Sequence, residues 1–157
     1  GSYLPGYGAS VKPGAYHASG EWVVDSDERR KTETITSYRD LVVWQKAMAL
    51  VSAVYKLTRT FPDSERFGLT SQIQRAAVSI PSNIAEGQGR LATKEFRQFL
   101  GIARGSLKEL ETQLLISIDL AYAKQPKVDE CLELADEVGR MLNALIKALE
   151  KRLVGSG

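Results

Sequence analysis

The sequence predicts an all-α protein: an antiparallel up-down four-helix bundle over residues 37–153, preceded by a non-helical N-terminal appendage (1–36) and followed by a short tail (154–157). Three observations predict it. Apolar residues recur at three- and four-residue spacing in four successive stretches, the period of a helix with one face in a core. Between the stretches stand the breakers Pro62, Gly87, Gly89 and Pro126, which end helices. The links are short, and short links make consecutive helices antiparallel neighbours.

The first helix should begin after Ser37, an N-cap residue with Asp40 three positions on in the manner of a capping box, and end before Pro62. It carries two apolar stripes side by side. Trp44, Met48, Val51 and Tyr55 form one; Val43, Ala47, Leu50, Val54 and Leu57 form the other. Together they span roughly 180°, wider than the ~100° that a single core needs. The second stripe would stay in water in a lone chain, so Val43, Ala47, Leu50, Val54 and Leu57 are the candidate interface of a closed homo-oligomer.

The second helix covers about 69–86, with Leu69, Ile73, Ala76 or Ala77, Ile80 and Ile84 in period. Pro81 falls inside it and should bend rather than end it, because the apolar spacing continues to Ile84. Ser82 or Asn83 can supply hydrogen bonds where the proline disturbs the ladder, and Gly87 and Gly89 should stop the helix. The third, expected to be the longest, starts near Thr93 as N-cap and runs through Phe96, Phe99, Leu100, Ala103, Leu107, Leu110, Leu114 and Ala121 to Pro126. Gly101 and Gly105, four apart on it, suit close helix packing. The fourth, about 128–153, shows Cys131, Leu132, Ala135, Val138, Leu142, Leu145, Ile146, Leu149 and Leu153 on its apolar face.

Residues 1–31 have another style, with Gly6, Gly8, Gly14, Gly20, Pro5 and Pro13 interleaved with Tyr3, Tyr7, Tyr16 and Trp22. A small hairpin across Ser19-Gly20, pairing 15–18 with 21–24, is the one element they suggest. The Gly-Ser opening and Gly-Ser-Gly close resemble cloning remnants, so the appendage reads as grafted or engineered.

Composition narrows the function classes. The formal net charge is +2, but charge is segregated: Lys56 to Lys108 holds nine Lys/Arg against four Asp/Glu, and Glu109 to Glu137 holds eight acids against two lysines. Such a chain has a basic side and an acidic side. The lone Cys131 excludes an intrachain disulfide and suits a reducing compartment, so the cytoplasm is the expected address. No apolar run is long enough for a membrane span. The sole histidine, His17, lies in the appendage, leaving the helices without the Glu-x-x-His pairs of a di-metal bundle. Cys131 reads as a buried small hydrophobe, and Asp129, Glu130, Glu133, Asp136 and Glu137 as a solvated face. Gly87-Gln88-Gly89 lacks the strand that a nucleotide fingerprint requires. No enzyme, cofactor or metal site is expected.

The informative polar feature is basic. Lys94, Arg97, Arg104 and Lys108 recur at spacings of three, seven and four on one face of the third helix, with Arg90 just before them; Arg66 and Arg75 are candidates to join. A face of this kind reads phosphates, which makes RNA or DNA a candidate partner.

Several segments carry a family resemblance: Tyr38-Arg39-Asp40-Leu41 with Val43-Trp44-Gln45-Lys46-Ala47, Gly68-Leu69-Thr70-Ser71-Gln72-Ile73, the run Arg75 to Gly87, and Ala103-Arg104-Gly105-Ser106-Leu107 with Glu109 to Leu114. They resemble the bacterial four-helix-bundle proteins named after ribosomal RNA intervening sequences, relatives of the accessory variability determinant of diversity-generating retroelements. The resemblance implies a barrel-like homopentamer and, in the retroelement branch, a basic surface that partners a reverse transcriptase and its RNA. Two expectations follow: a non-enzymatic oligomeric scaffold that binds another macromolecule, or a nucleic-acid-binding accessory protein of a reverse transcriptase.

Overall fold

The structure, a computed structural model, describes residues 37–155 and the backbone of three short strands before them. Those strands, β1 (Ala15–Tyr16), β2 (Glu21–Val23) and β3 (Thr32–Thr34), pair antiparallel in that order. Ala15 lies opposite Val23 and Tyr16 opposite Trp22, so the two strands of the expected hairpin do pair, but one residue out of the register that a two-residue Ser19-Gly20 turn sets, 15 with 24 and 16 with 23. His17 lies outside the described residues.

Four helices follow: α1 (Val42–Thr58), α2 (Leu69–Gln88), α3 (Thr93–Asp119) and α4 (Gln125–Gly155). Each packs on its chain neighbours and α4 closes on α1, so the fold is an all-α up-down bundle. The centre is filled by Leu50, Ile73, Ile80, Ile84, Leu100, Leu107, Leu114, Leu142, Leu145 and Leu149, all buried. Fully burying one such side chain is worth about 1.5–3 kcal/mol, and this core is the chief stabilising feature of the fold.

Element ends depart from expectation in instructive ways. The Ser37/Asp40 capping box forms, with the Ser37 amide donating to Asp40 Oδ2 at 3.0 Å, but it caps a 3-10 turn, Tyr38–Asp40, and α1 begins four residues later than the cap suggests. Gly87 does not stop α2, which runs on to Gln88, with Gly89 as the C-cap. Thr93 is the first residue of α3 rather than its N-cap. That helix ends at Asp119, not at Pro126: Ala121 adopts a left-handed φ of 57°, and the Tyr122 amide donates back to the Ser117 carbonyl at 2.9 Å, closing the helix in the Schellman manner. Pro126 instead sits in the first turn of α4, where a missing N–H costs nothing. At 31 residues against 27, α4 is the longest helix, correcting the expectation for α3.

As expected, α2 continues on both sides of the buried Pro81. Asn83 Nδ2 donates to the Ser79 carbonyl at 2.8 Å and to Ser79 Oγ at 2.9 Å, and Ser79 Oγ shares a 2.8 Å hydrogen bond with Ser106 Oγ of α3. The disturbed turn is thereby tied to the neighbouring helix. At the far end, Glu65 accepts from the Leu69 amide (2.8 Å) and the Tyr122 hydroxyl (3.0 Å), while Thr60 Oγ1 donates to the Tyr122 carbonyl at 3.1 Å. These bonds clamp the α1–α2 link to the α3–α4 link.

Candidate macromolecular interface

The basic residues gather on the outer face of α3 toward its α4 edge, beside the core-facing residues: Arg97 stands three residues before and Arg104 four after the buried Leu100, and Lys94 and Lys108 continue the line. All four are exposed, as is Arg90. Their engagements differ. Arg97 is committed across the α3–α4 seam, with Nε and Nη2 donating to Glu150 Oε1 at 3.1 and 2.7 Å. Arg104 Nη1 donates to Asn143 Oδ1 at 3.2 Å. Arg90 pairs with Glu86 at 2.9 Å and lies 4.8 Å from the Phe99 ring centre; Lys108 pairs with Glu111 at 3.1 Å. Exposed pairs of this kind are worth at most about 1 kcal/mol and exchange readily with a competing anion.

Arg66 and Arg75 do not join this group. The Ser79–Ser106 bond fixes α2 against α3; in an antiparallel pair this sets Arg75 level with Leu110, near the height of Lys108 but on the neighbouring helix, while Arg66 precedes α2 and falls toward the end where α3 finishes. The face grows in another direction. Contacts Arg97–Glu150 and Arg104–Asn143 set α4 antiparallel to α3 in a constant register, which brings the exposed Lys147 and Lys151 beside the set. Sequence reasoning passed over them, reading the polar side of α4 from its acidic first half; the signal was the spacing of Arg140, Lys147 and Lys151, seven and then four apart. Lys94, Arg104, Lys147 and Lys151 have no carboxylate partner among the described residues.

Cations are thus in excess at one end of the bundle and mixed with acids at the other. One end, with the start of α3 and the finish of α4, gathers Arg90, Lys94, Arg97, Lys147 and Lys151; the other carries Asp119, Asp129, Glu130, Glu133 and Asp136 interleaved with Lys56, Arg59, Arg66, Lys124 and Lys127, all exposed. Glu137 and Glu150 are the exceptions among the acids of α4, both half-buried and paired, Glu137 with Lys46 of α1 at 3.2 Å and Glu150 with Arg97 at 2.7 Å.

The five candidate interface residues of the first helix are placed differently from the expectation. Val43, Ala47, Leu50, Val54 and Leu57 are buried in the core of their own chain and have no surface to offer a second copy. Their stripe points at the bundle axis, and the Trp44, Met48, Val51, Tyr55 stripe turns toward α2, with Tyr55 left exposed. Apolar surface remains elsewhere too, at Val78 on α2 and at Ile102, Leu115, Ile116 and Leu120 on or at the end of α3. Gly101 and Gly105 also lie on that outer face, and a Cβ at either would meet nothing within 4 Å. They do not serve packing inside the chain, although each glycine in a helix interior costs about 1 kcal/mol relative to alanine.

Cys131 is buried, and burial followed by the nearby Glu130 pushes its thiol up to about 11. At neutral pH it is a protonated hydrophobe, not a nucleophile. Among the described residues no three His, Cys, Asp or Glu side chains cluster in a way that could hold a metal ion, and no helix is long and apolar enough to cross a membrane.

A solved structure from Bacteroides thetaiotaomicron VPI-5482, a protein with unknown function from the S23 ribosomal protein family, superposes with a TM-score of 0.63 at 24% identity, over 68% of this chain and 99% of its own. That likeness shows the shared bundle fold. No curated relative matches the chain. The family model of the 23S rRNA-intervening sequence protein matches residues 39–144, which takes in most of α4 and all of the other three helices. The chain belongs to the 23S rRNA-intervening sequence protein family.

Proposed function

We propose that this chain is a non-enzymatic cytoplasmic interaction protein that assembles with copies of itself and binds another macromolecule. The observation that carries the reading is the basic end of the bundle, where Lys94, Arg104, Lys147 and Lys151 stand on one face without carboxylate partners among the described residues. Like charges held together raise the free energy of the isolated protein, and an anionic partner relieves it. The exposed apolar residues of α1, α2 and α3 support self-assembly, for which the pentamer implied by the resemblance is the expected closed form.

The same cations favour a second reading, in which the partner is nucleic acid and the protein is an accessory factor of a reverse transcriptase of the diversity-generating retroelement type. Contacts of lysine and arginine with phosphates are indifferent to base sequence, and log K declines by roughly 0.7–0.9 for each phosphate neutralised as log salt rises. The test is fluorescence anisotropy with labelled single-stranded RNA and duplex DNA at low and physiological salt. Lys94→Glu with Lys147→Glu should abolish binding; this pair is preferred to reversal of Arg97, which would also set a carboxylate against Glu150. No binding by the wild type at low salt removes the second reading and leaves a protein partner, to be sought by pull-down from the host. Light scattering that gives a monomer mass at micromolar concentration removes self-assembly.

A further inference from the structure

The basic end of the bundle also carries apolar side chains that folding leaves in water. Leu91, in the link between α2 and α3, is 105% exposed, and Val154 and Leu153, in the last turn of α4, are 83% and 37% exposed. Leu91 is held out by its neighbours. The Arg90 amide donates to the Gly87 carbonyl at 3.1 Å, and the Arg90 guanidinium is engaged by Glu86 and the Phe99 ring. On the other side the Ala92 carbonyl accepts from the Phe96 amide at 3.1 Å.

The Arg97–Glu150 pair sets the heights at this end. Counting three residues outward from each partner, Lys94 stands level with Leu153, about 4.5 Å further along the axis. Val154 is then level with Thr93, and Leu91 lies just beyond it. Lys151 is three residues back from Val154 and Lys147 seven, which at about 1.5 Å per residue is roughly 4.5 and 10 Å. The apolar tips are therefore outermost, with the lysines set back behind them.

Charge at this end calls for a negative partner. Lys94, Lys147 and Lys151 are exposed and have no carboxylate partner among the described residues. Glu86 and Glu150 are each paired with an arginine, and Asp40 accepts from the Ser37 amide. Among the described residues, that leaves Glu95 the one acid at this end without such an engagement. The order of the layers then chooses between anions. A nucleic-acid backbone meets charge first and gains nothing from leucine and valine tips standing in front of the lysines. An anionic bilayer presents phosphates at one depth and hydrocarbon beneath them, and lysine stems can lie along apolar surface while the ammonium stays at the phosphates.

We infer that this end of the bundle docks on an anionic lipid bilayer, with Leu91 and Val154 entering the acyl boundary and Lys94, Lys147 and Lys151 meeting the headgroup phosphates. The attachment is to one leaflet, since no helix is long and apolar enough to cross. It goes beyond the macromolecular binding proposed above. The lysines serve both readings, so the apolar tips separate them.

The test is flotation at low salt with vesicles of phosphatidylglycerol mixed with phosphatidylcholine, beside vesicles of phosphatidylcholine alone. The wild type should float with the anionic vesicles only. Leu91→Ser combined with Val154→Ser keeps every cation and should weaken vesicle affinity by about tenfold or more, since two side chains forgo burial. Its affinity for labelled RNA should equal that of the wild type, and circular dichroism checks that it is folded. Leu91→Trp should float as the wild type does, and its emission, above that of Trp22 and Trp44, should move to the blue on anionic vesicles. A wild type that stays clear of anionic vesicles overturns the inference, as does Leu91→Trp emission unmoved by vesicles that carry the protein. A folded serine variant that floats as well as the wild type overturns it too, and so does one that loses RNA and vesicle affinity together.

Discussion

Alanine at Gly87 and alanine at Gly139 are the same chemical change in the middle or late turns of a helix, and the structure gives them opposite consequences. Each gains about 1 kcal/mol from helix propensity. At Gly87 the new Cβ would stand 2.6 Å from Phe99 Cβ, 3.0 Å from Phe96 Cδ2 and 3.3 Å from the Phe96 carbonyl oxygen. A Cβ is bonded to its backbone, so relief at Phe99 requires α3 to move away from α2. Overpacking of this kind costs about 1–3 kcal/mol, and separating the helices weakens contacts beyond the one residue. The net for Gly87→Ala is a loss of up to about 2 kcal/mol. At Gly139 the one close atom is Leu107 Cδ2 at 3.2 Å, the end of a flexible side chain that can yield by a few tenths of an ångström. Gly139→Ala should therefore be neutral or stabilising by up to about 1 kcal/mol. Urea unfolding at a fixed protein concentration, followed by helical circular dichroism, measures both through the shift in midpoint at constant slope. A Gly87→Ala variant as stable as the wild type would show that the α2–α3 approach is not held by the missing side chain, and the reasoning would be refuted.

The Glu65 clamp makes stability depend on acid, because the Leu69 amide first and the Tyr122 hydroxyl second hold its carboxyl below the ordinary value of 4.5. A lowered folded pKa contributes stability that is present above the unfolded pKa and lost as pH falls through the folded one, so Glu65→Gln should flatten the acid limb of a stability–pH curve below about 4.5. The same bond raises the pKa of Tyr122 above 10.0; its contribution is present below that value and lost as pH climbs through the folded pKa, and Tyr122→Phe should abolish that alkaline dependence. Cys131, with its thiol pushed up to about 11, should react with an aromatic disulfide reagent at neutral pH far more slowly in the native protein than in urea; equal rates would mean the thiol is not buried. Removal of residues 1–31 should leave the helical signal and the melting temperature within a few degrees of the full chain, since the core draws on helices α1 to α4.

What the sequence made legible follows from what periodicity encodes. It marks which residues of a helix share a face, and Ile73, Ile80 and Ile84, or Leu107, Leu110 and Leu114, were placed in the core on that basis and are buried. Periodicity says nothing of direction when two apolar stripes lie side by side. In α1 either stripe could have faced the axis, and the choice is made by α2 and α4, which the pattern of α1 does not contain. Glycine shows the same limit. Gly87, Gly101 and Gly105 look alike in sequence, yet Gly87 is pressed against Phe99 while the other two face open space. The basic face was visible on α3 from its spacing, but Arg97's commitment to Glu150 and the arrival of Lys147 depend on the register between α3 and α4. Register is a property of packed pairs of helices.

The knot of hydrogen bonds at Pro81 also bears on how the chain finds its structure. Asn83, Ser79 and Ser106 link two helices joined by a connection of only a few residues, between Gln88 and Thr93. Closing so short a loop forfeits little chain entropy, so the α2–α3 hairpin can form early, before the distant α1 and α4 meet. The polar triad then acts as a vernier. A slide of one helix along the other by a single turn would keep apolar residues facing apolar residues, but it would strand the Ser79 and Ser106 hydroxyls apart and drive Gly87 away from Phe99. Misregistered hairpins are thus marked for dissolution during assembly, and the slowest-exchanging amides of the native protein should lie on the facing sides of α2 and α3.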